Sequence, residues 1–201
     1  WEVLKFHAEQ SFYIEPLINP RGFKGDQTAK GPRSLAHEIV LSVRGQYGFD
    51  NRLLASEEDI AGGMFTVRGY PESVVAGDSL IIASAEYRFH VPQALGYSAQ
   101  TGELFGHPFR YRPQSPYGRA DWDLILKAFV DVGRSEVNQK LSDEQDNNLV
   151  GTGVGAEFLY KRNFSLRVDW GVALEAIDNP DGTTDVSAGS NRFHIMATIL
   201  F

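Results

Sequence analysis

Apolar and polar residues alternate along most of this chain, over segments that are long for β-strands. The clearest segment runs from Leu35 to Tyr47, where apolar residues share one face and polar residues share the other. A period of two is typical of a strand, because successive side chains point to opposite sides of the sheet. The same alternation predicts strands at about residues 4–14, 35–47, 78–91, 122–132, 150–160, 164–174 and 193–201, and no helix.

The two faces of these predicted strands differ in a way that favours a membrane. One face is almost uninterruptedly apolar, and the other carries charges of both signs near the middle of the strands. Aromatic residues gather near the strand ends: Phe12, Tyr87, Phe89, Trp122, Tyr160, Phe164, Phe193 and Phe201. This pattern predicts an all-β fold, an antiparallel transmembrane β-barrel. A soluble β-sandwich or barrel also alternates and stays the alternative, although its strands are usually shorter.

Composition narrows the function classes. The chain has 201 residues and a formal net charge of −7, which argues against a nucleic-acid partner. It has no cysteine, so disulfides, thiolate metal sites and cysteine nucleophiles are excluded. The chain opens on Trp1 without a signal peptide, and seven strands are an odd number for a closed barrel. We therefore expect residues 1–201 to be the C-terminal part of a larger outer-membrane barrel.

A glycine-rich loop, Gly62–Asp78, lies between two of the predicted strands and is called the central loop below. It reads GGMFTVRGYPESVVAGD and carries one arginine, Arg68, inside the tetrapeptide Val67-Arg68-Gly69-Tyr70. Permissive backbone around one cation predicts a loop that folds back onto another part of the protein. The alternative is an ordinary hairpin loop with a solvated arginine.

These residues, with others further along, carry a family resemblance. The central loop resembles the sixth extracellular loop of the haemolysin secretion/activation transporters of two-partner secretion, the TpsB family, which are relatives of the BamA-type assembly factors. Phe129–Gly133, reading FVDVG, resembles the F-x-D-x-G strand segment of that family. The strand before the last and the C-terminal aromatic also match, at Leu166, Arg167, Asp169, Gly171 and Phe201. The chain departs from the family in its long segments 16–34 and 92–120, where family turns are short.

The resemblance implies a bacterial outer-membrane transporter whose barrel has about sixteen strands, of which this chain supplies about the last seven. It would export a secreted client protein, with POTRA domains before residue 1 and with lipid, lipopolysaccharide and the barrel-assembly machinery as further partners. The runner-up is a factor that assembles proteins or lipids into the outer membrane. The central loop would enter the lumen and control the channel, with Arg68 reaching Asp131 beside Phe129 and Gly133. The resemblance also implies lumen-lining residues and an assembly signal: Glu86, Arg88, Arg167, Asp169 and, at the C-terminus, Phe201.

The chemistry of the residues supports the pairing of Arg68 with Asp131 independently. Asp131 alternates with apolar neighbours and shares the polar face with Asp123 and Lys127. A guanidinium presents a planar fork of donors that matches a carboxylate. Partial desolvation would strengthen the attraction, although desolvation itself costs free energy. The alternative is a pore-lining carboxylate without a fixed partner.

Other candidate chemistry is weak, and we expect no enzymatic reaction, cofactor or metal. Gly151, Gly153 and Gly155 superficially resemble a phosphate-binding loop, but no Lys-Ser/Thr pair follows and no βαβ unit surrounds them. They are interpreted as glycines of the lumenal face. The five histidines have no spacing that suits a metal, and a G-x-S-x-G nucleophile motif is missing.

Overall fold

The computed structural model describes residues 2–24, 35–115, 117–161 and 163–201. Strands make up 52% of the structure and helices 6%, which confirms an all-β chain. Within the described residues the strands are β1 (Leu4–Tyr13), β2 (His37–Tyr47), β3 (Asp59–Ala61), β4 (Val75–Gly77), β5 (Ser79–His90), β6 (Gly102–Leu104), β7 (His107–Phe109), β8 (Trp122–Glu136), β9 (Asn147–Tyr160), β10 (Phe164–Ala173), β11 (Ile177–Asp178), β12 (Thr184–Val186) and β13 (Asn191–Ile199).

Seven long strands form one antiparallel sheet in the order β1-β2-β5-β8-β9-β10-β13. Each long strand therefore pairs with its neighbour along the chain, as in an up-and-down meander. The large antiparallel sheet predicted from the alternation is confirmed. Strands β1 and β13 are its two edges. Six short strands form three two-stranded hairpins outside this sheet: β3 with β4, β6 with β7, and β11 with β12.

Several strand ends differ from the prediction. The polar stretch predicted as loop from Ser135 to Asn148 is shorter, because Ser135 pairs with Asn147 and Arg134 with Asn148 in the ladder between β8 and β9. Alternation of apolar residues cannot reveal a polar ladder, so the sequence missed this extension. At the C-terminus β13 ends at Ile199, and the side chain of Phe201 lies beyond the strand, exposed.

The expectation of no helix is wrong in detail. Three four-residue helices occur among the described residues: α1 (Glu15–Ile18), α2 (Pro20–Phe23) and α3 (Val91–Ala94). Each has proline in its first turn, where the fixed φ angle of proline suits the helix and the missing N–H costs nothing. Such short helices carry no detectable period. None of the described helices has the length and apolar character needed to cross a membrane.

Parts of three predicted connections lie outside the described residues. These are residues 25–34 of the segment predicted as a loop at 16–34, Pro116 of the one at 92–120, and Arg162 of the predicted turn Lys161–Asn163. The described part of the first connection holds α1 and α2, and the backbone N–H of Asn163 donates to the Tyr160 carbonyl across the turn.

The main sheet has an inverted distribution of polarity. Along β8, Leu126, Val130 and Val132 are 46%, 48% and 42% exposed, whereas Lys127 and Asp131 on the opposite face are 4% and 0% exposed. In a water-soluble sheet the apolar face is normally the buried one. We call the face of Lys127 and Asp131 the inner face and the opposite one the outer face.

A small apolar core lies at one end of the inner face, where the connections 48–78, 137–146 and 174–190 meet. Its buried members come from β3, from the central loop, from the main sheet and from hairpin β11–β12: Ala61, Val67, Tyr70, Val75, Leu80, Ile82, Leu149, Ala173, Ile177 and Val186. This core fixes the central loop over the sheet. The opposite end carries the three helices and the segment 91–121.

Candidate functional site

The central loop is a compact structure built on the hairpin β3–β4. Gly62 and Gly63 follow β3 with φ angles of 108° and 98°, a backbone conformation that residues with a side chain rarely adopt. A Cβ at Gly63 would lie 1.9 Å from the carboxylate of Glu72, which accepts a hydrogen bond from the Met64 N–H at 2.9 Å. The turn at Gly62–Met64 therefore packs against Glu72, near the other end of the loop. This contact places Val67–Tyr70 against the inner face.

Glycines on the sheet let the loop backbone touch it directly. A Cβ on Gly151 of β9 would lie 2.0 Å from the Arg68 carbonyl oxygen. A Cβ on Gly171 of β10 would lie 2.6 Å from the Gly69 nitrogen, and one on Gly133 of β8 would lie 2.9 Å from Val67. The three glycines come from three neighbouring strands, so together they form a shallow bed for residues 67–69. Gly69 itself has a φ of 98°.

Arg68 is buried and binds Asp131 at three points. Its Nε lies 2.7 Å from Asp131 Oδ2, and its Nη2 lies 2.8 Å from Asp131 Oδ1. Its backbone N–H also donates to Oδ2 at 3.1 Å. A bidentate pair of this kind fixes direction as well as distance. The Ser84 hydroxyl donates to Asp131 Oδ1 at 2.6 Å, which holds the carboxylate in place.

Two more carboxylates and one ring complete the surroundings of the guanidinium. Nη1 of Arg68 lies 2.5 Å from Glu86 Oε2 and 3.5 Å from Asp169 Oδ2. The guanidinium carbon sits 3.5 Å from the centroid of the Phe129 ring, a favourable place for a cation. Gly153 makes this possible, because a Cβ there would lie 2.7 Å from the ring. Strands β5, β8 and β10 thus converge on one cation.

Two of these three carboxylates, Asp169 and Glu86, also pair with further cations on the inner face. Lys127 lies 2.8 Å from Asp169 Oδ1, Arg167 lies 2.6 Å from Asp169 Oδ2, and Arg88 lies 2.6 Å from Glu86 Oε1. Buried charges persist when they are paired and hydrogen-bonded in this way. Burial disfavours the charged guanidinium of Arg68, but the hydrogen bonds and charges of Asp131 and Glu86 outweigh it and raise its pKa above the ordinary value. Arg68 is therefore a permanent cation.

Tyr70 fastens the loop at a second point. It is fully buried, and its hydroxyl lies 2.8 Å from the Glu175 carbonyl and 3.2 Å from the Val150 carbonyl. The same oxygen accepts from the Val150 N–H at 3.1 Å. The regular pairing of β9 with β10 ends at the partners Gly151 and Ala173. The phenol hydroxyl therefore bridges the backbones of Val150 and Glu175 where β9 and β10 separate.

Asp78, at the end of the central loop, is a residue whose role the sequence did not predict. Its carboxylate is fully buried and accepts from the Leu53 N–H at 2.5 Å and from the Asn138 N–H at 2.6 Å. Asp78 therefore joins the segment before β3, which holds Leu53, to the connection 137–146, which holds Asn138. The turn pair Gly77-Asp78 was visible in the sequence, but its long-range partners were not.

A polar cavity of about 190 Å³ opens beside Arg68, between the central loop and strands β1, β2 and β5. Charged side chains from four strands line it, among them Glu9 of β1, Arg44 of β2, Arg88 of β5 and Arg167 of β10. The inner face is thus covered by the loop on one side and open to a polar cavity on the other.

The residues singled out by the sequence lie as follows. Val67, Arg68, Gly69 and Tyr70 contact the inner face, and Phe129, Asp131 and Gly133 lie beneath them. Glu86, Arg88, Arg167 and Asp169 also lie on that face, in the charge network around Arg68. Phe201 follows Leu200, which pairs with Asn163 at the end of the sheet opposite the central loop, so it lies away from the site. Sequence reasoning placed Glu86 and Asp169 on this face but did not predict their contacts with Arg68, and it did not single out Ser84 or Lys127 for the site.

Comparison of the chain with protein-family models, with curated proteins and with solved structures gives no match. Across the described ranges, no group of three or more histidine, aspartate or glutamate side chains is placed to hold a metal ion.

Proposed function

We propose that this chain is part of the wall of a bacterial outer-membrane β-barrel that exports a partner protein from the periplasm to the cell surface. In this proposal the central loop controls the channel. The observation that carries it is a loop held by buried ion pairs on the polar inner face of a sheet whose outer face is apolar and exposed. Exposing a continuous apolar face to water costs free energy, whereas the acyl chains of a bilayer solvate it.

The lengths of the strands support insertion. The main strands have between 9 and 15 residues, and a tilted membrane-spanning strand needs about 9–11. The outer-face aromatics Trp122, Phe158 and Phe164 form a chain of ring contacts near one end of the sheet. Aromatic girdles at that level are typical of barrels at the interface between lipid and water.

The open edges of the sheet support a larger barrel. Within the described chain, β1 pairs only with β2, and β13 pairs only with β10. Unpaired backbone groups are costly in lipid, so a membrane sheet must close on itself. We propose that further strands of the same protein close it, in line with the resemblance to a barrel of about sixteen strands.

The charge network suggests how the loop could act in transport. Its ion pairs hold residues 67–70 against the wall, beside the polar cavity. In this proposal an extended client chain passes on that side of the loop. Release of the loop would widen that path without a chemical reaction by this chain. The other proposed partners are outer-membrane lipid, lipopolysaccharide and the barrel-assembly machinery.

The test uses the full-length protein in cells that produce its client and in planar bilayers. Replacing residues 63–72 with a short Gly-Ser linker should raise the conductance of the reconstituted protein and reduce secretion of the client, while its abundance in the outer membrane changes little. The control exchanges Val154→Leu on the outer face and should leave both readouts unchanged. Recovery of the unaltered protein from the aqueous fraction without detergent would refute the proposal.

The free edge of β13 favours a second candidate, an outer-membrane assembly factor. An unpaired strand edge can template the strand of another protein. The two candidates differ in what depletion does. Loss of an assembly factor should lower the amounts of many outer-membrane barrels, whereas loss of an exporter should block one secreted client only.

A further inference from the structure

Segment 91–121 contains a projecting hairpin that the proposed transport function leaves unexplained. Strands β6 and β7 pair through Gly102 with Phe109 and through Leu104 with His107. The turn between them has Phe105 and Gly106 at φ angles of 52° and 76°, which is typical of a tight two-residue hairpin turn. Phe105 at the tip is 93% exposed.

The hairpin has an ordered base. The Tyr111 ring packs over Gly102, where a Cβ would lie 2.9 Å from it, and the Tyr111 hydroxyl donates to the Glu103 carbonyl at 3.0 Å. Arg110 binds Asp121 through both its backbone N–H, at 2.8 Å, and its Nη2, at 2.6 Å. The exposure of Phe105 therefore belongs to a defined structure that presents this ring.

The base lies against the aromatic girdle of the outer face. Phe109 is buried and stacks on Tyr160 with ring centroids 5.9 Å apart. The indole N–H of Trp122 donates to the Tyr111 carbonyl at 3.1 Å. By register, Trp122 and Tyr160 are paired residues at the ends of β8 and β9. The hairpin thus continues the apolar outer face at the end of the sheet that is opposite the central loop.

We propose that hairpin β6–β7 anchors the barrel to the phospholipid leaflet at this rim, with the Phe105 ring inserted at the interface of headgroups and acyl chains. The inference rests on the proposed membrane location of the sheet. Aromatic side chains favour that interface. Arg112, which is exposed just beyond the base of the hairpin, suits the phosphate groups of the lipids.

The observations favour lipid over a protein partner for this hairpin. The hairpin joins a face that already carries exposed apolar strands, so the apolar surface is continuous with the one that we assign to the bilayer. The exposed guanidinium of Arg112 complements anionic headgroups. A bound protein would instead cover Phe105 from both lipid and water, and this difference can be measured.

The chain has no cysteine, so single labels can be placed at will. Three variants of the full-length protein, Phe105→Cys, Leu126→Cys and Leu141→Cys, each carry an environment-sensitive fluorophore. They are reconstituted in vesicles of phosphatidylethanolamine and phosphatidylglycerol. Leu126 is exposed on the outer face in the middle of β8, and Leu141 is exposed in the connection 137–146. Quenching is measured with nitroxide-labelled lipids and, separately, with aqueous iodide.

The proposal expects lipid quenching at position 105 comparable with that at position 126, and iodide quenching at position 141 alone. Iodide quenching at 105 with lipid quenching at 126 would leave the barrel standing and overturn the anchor. Protection of 105 from both quenchers would show a protein covering and also overturn the anchor. Absence of lipid quenching at both 105 and 126 would refute the membrane location of the sheet itself, and the anchor with it.

Discussion

Arg68 and Asp131 are joined by three hydrogen bonds, two from the guanidinium and one from the backbone N–H of the same arginine. The carboxylate therefore holds both the side chain and the main chain of the central loop. Glu86 of strand β5 and Asp169 of strand β10 approach the same guanidinium. One residue of the loop thus connects three strands of the sheet, and the loop position depends on it.

The first prediction concerns that residue. Arg68→Ala should release the central loop, because it leaves Asp131 and Glu86 as buried charges without their shared partner, a loss of about 3–5 kcal/mol. We expect the loop to become sensitive to protease and secretion of the client to fall, while the strands remain folded. Arg134→Ala is the control, since its ion pair with Glu136 is exposed.

A double-mutant cycle tests whether Arg68 and Asp131 act together. Asp131→Ala should resemble Arg68→Ala but be milder, because Glu86 still binds the guanidinium at 2.5 Å. The double variant should be little worse than Arg68→Ala, since partners in one interaction are not additive. Loop accessibility and secretion are the readouts. Simple addition of the two single effects would show that the pair is not coupled.

The second prediction concerns the glycine bed. Gly151→Ala should displace the loop without disturbing the sheet, because the added Cβ would lie 2.0 Å from the Arg68 carbonyl oxygen. The backbone of Gly151 needs no unusual φ, so the effect is one of space alone. Protease sensitivity of the central loop is the measurement. Val154→Ala, on the outer face of the same strand, should leave the loop protected.

The third prediction concerns Tyr70. Tyr70→Phe removes the hydroxyl that satisfies the backbone of Val150 and Glu175, so partly buried polar groups lose a partner, at a cost toward the lower end of about 1–3 kcal/mol. We expect a lower unfolding temperature in detergent and greater mobility of the loop. Tyr97→Phe, at an exposed tyrosine, is the matched control. Equal behaviour of the two variants would contradict the role assigned to Tyr70.

The fourth prediction concerns pH. Arg52 binds Glu144 at 2.5 Å and joins the connection 48–58 to the connection 137–146. The hydrogen bond from Arg52 lowers the pKa of the Glu144 carboxyl in the folded protein. The Arg52–Glu144 ion pair is therefore fully formed above the ordinary glutamate pKa of about 4.3. It is lost as pH falls through the lowered pKa that Glu144 has in the folded protein.

Limited digestion with an acid-active protease across this range should show residues 137–146 becoming accessible as Glu144 is protonated. In Glu144→Gln the ion pair with Arg52 is missing at every pH. The accessibility of residues 137–146 to protease should therefore be high throughout and independent of pH in this window. An unchanged pH profile in that variant would show that other carboxylates control the connection.

The fifth prediction concerns the C-terminus. Phe201 lies beyond β13, but the backbone N–H of Leu200 still donates to the Asn163 carbonyl at 2.7 Å. If Phe201 is the assembly signal that the family resemblance implies, its deletion in the full-length protein should reduce insertion into the outer membrane. Heat-modifiable migration on gels is the measurement. Undiminished insertion would show that Phe201 is not an assembly signal. It would not contradict the strand assignment.

The sequence by itself determined the type of sheet and the polarity of its faces. The period of two assigns each residue to a face wherever the strand lies, so Asp131, Glu86 and Asp169 could be placed on one polar face before any strand was paired. The glycines of β9 could be assigned to that face for the same reason, and the permissive backbone around Arg68 indicated a folded-back loop.

Only the tertiary structure decided which of these residues meet. The connections before β5 and β8 are long, and long connections do not fix the register between strands as a short turn does. The convergence of Glu86 and Asp169 on Arg68, the bed formed by Gly133, Gly151 and Gly171, and the reach of Asp78 to Asn138 all depend on that register. Hairpin β6–β7 escaped the prediction because two three-residue strands are too short to show alternation. Its place against Tyr160 is a matter of packing, which no local pattern encodes.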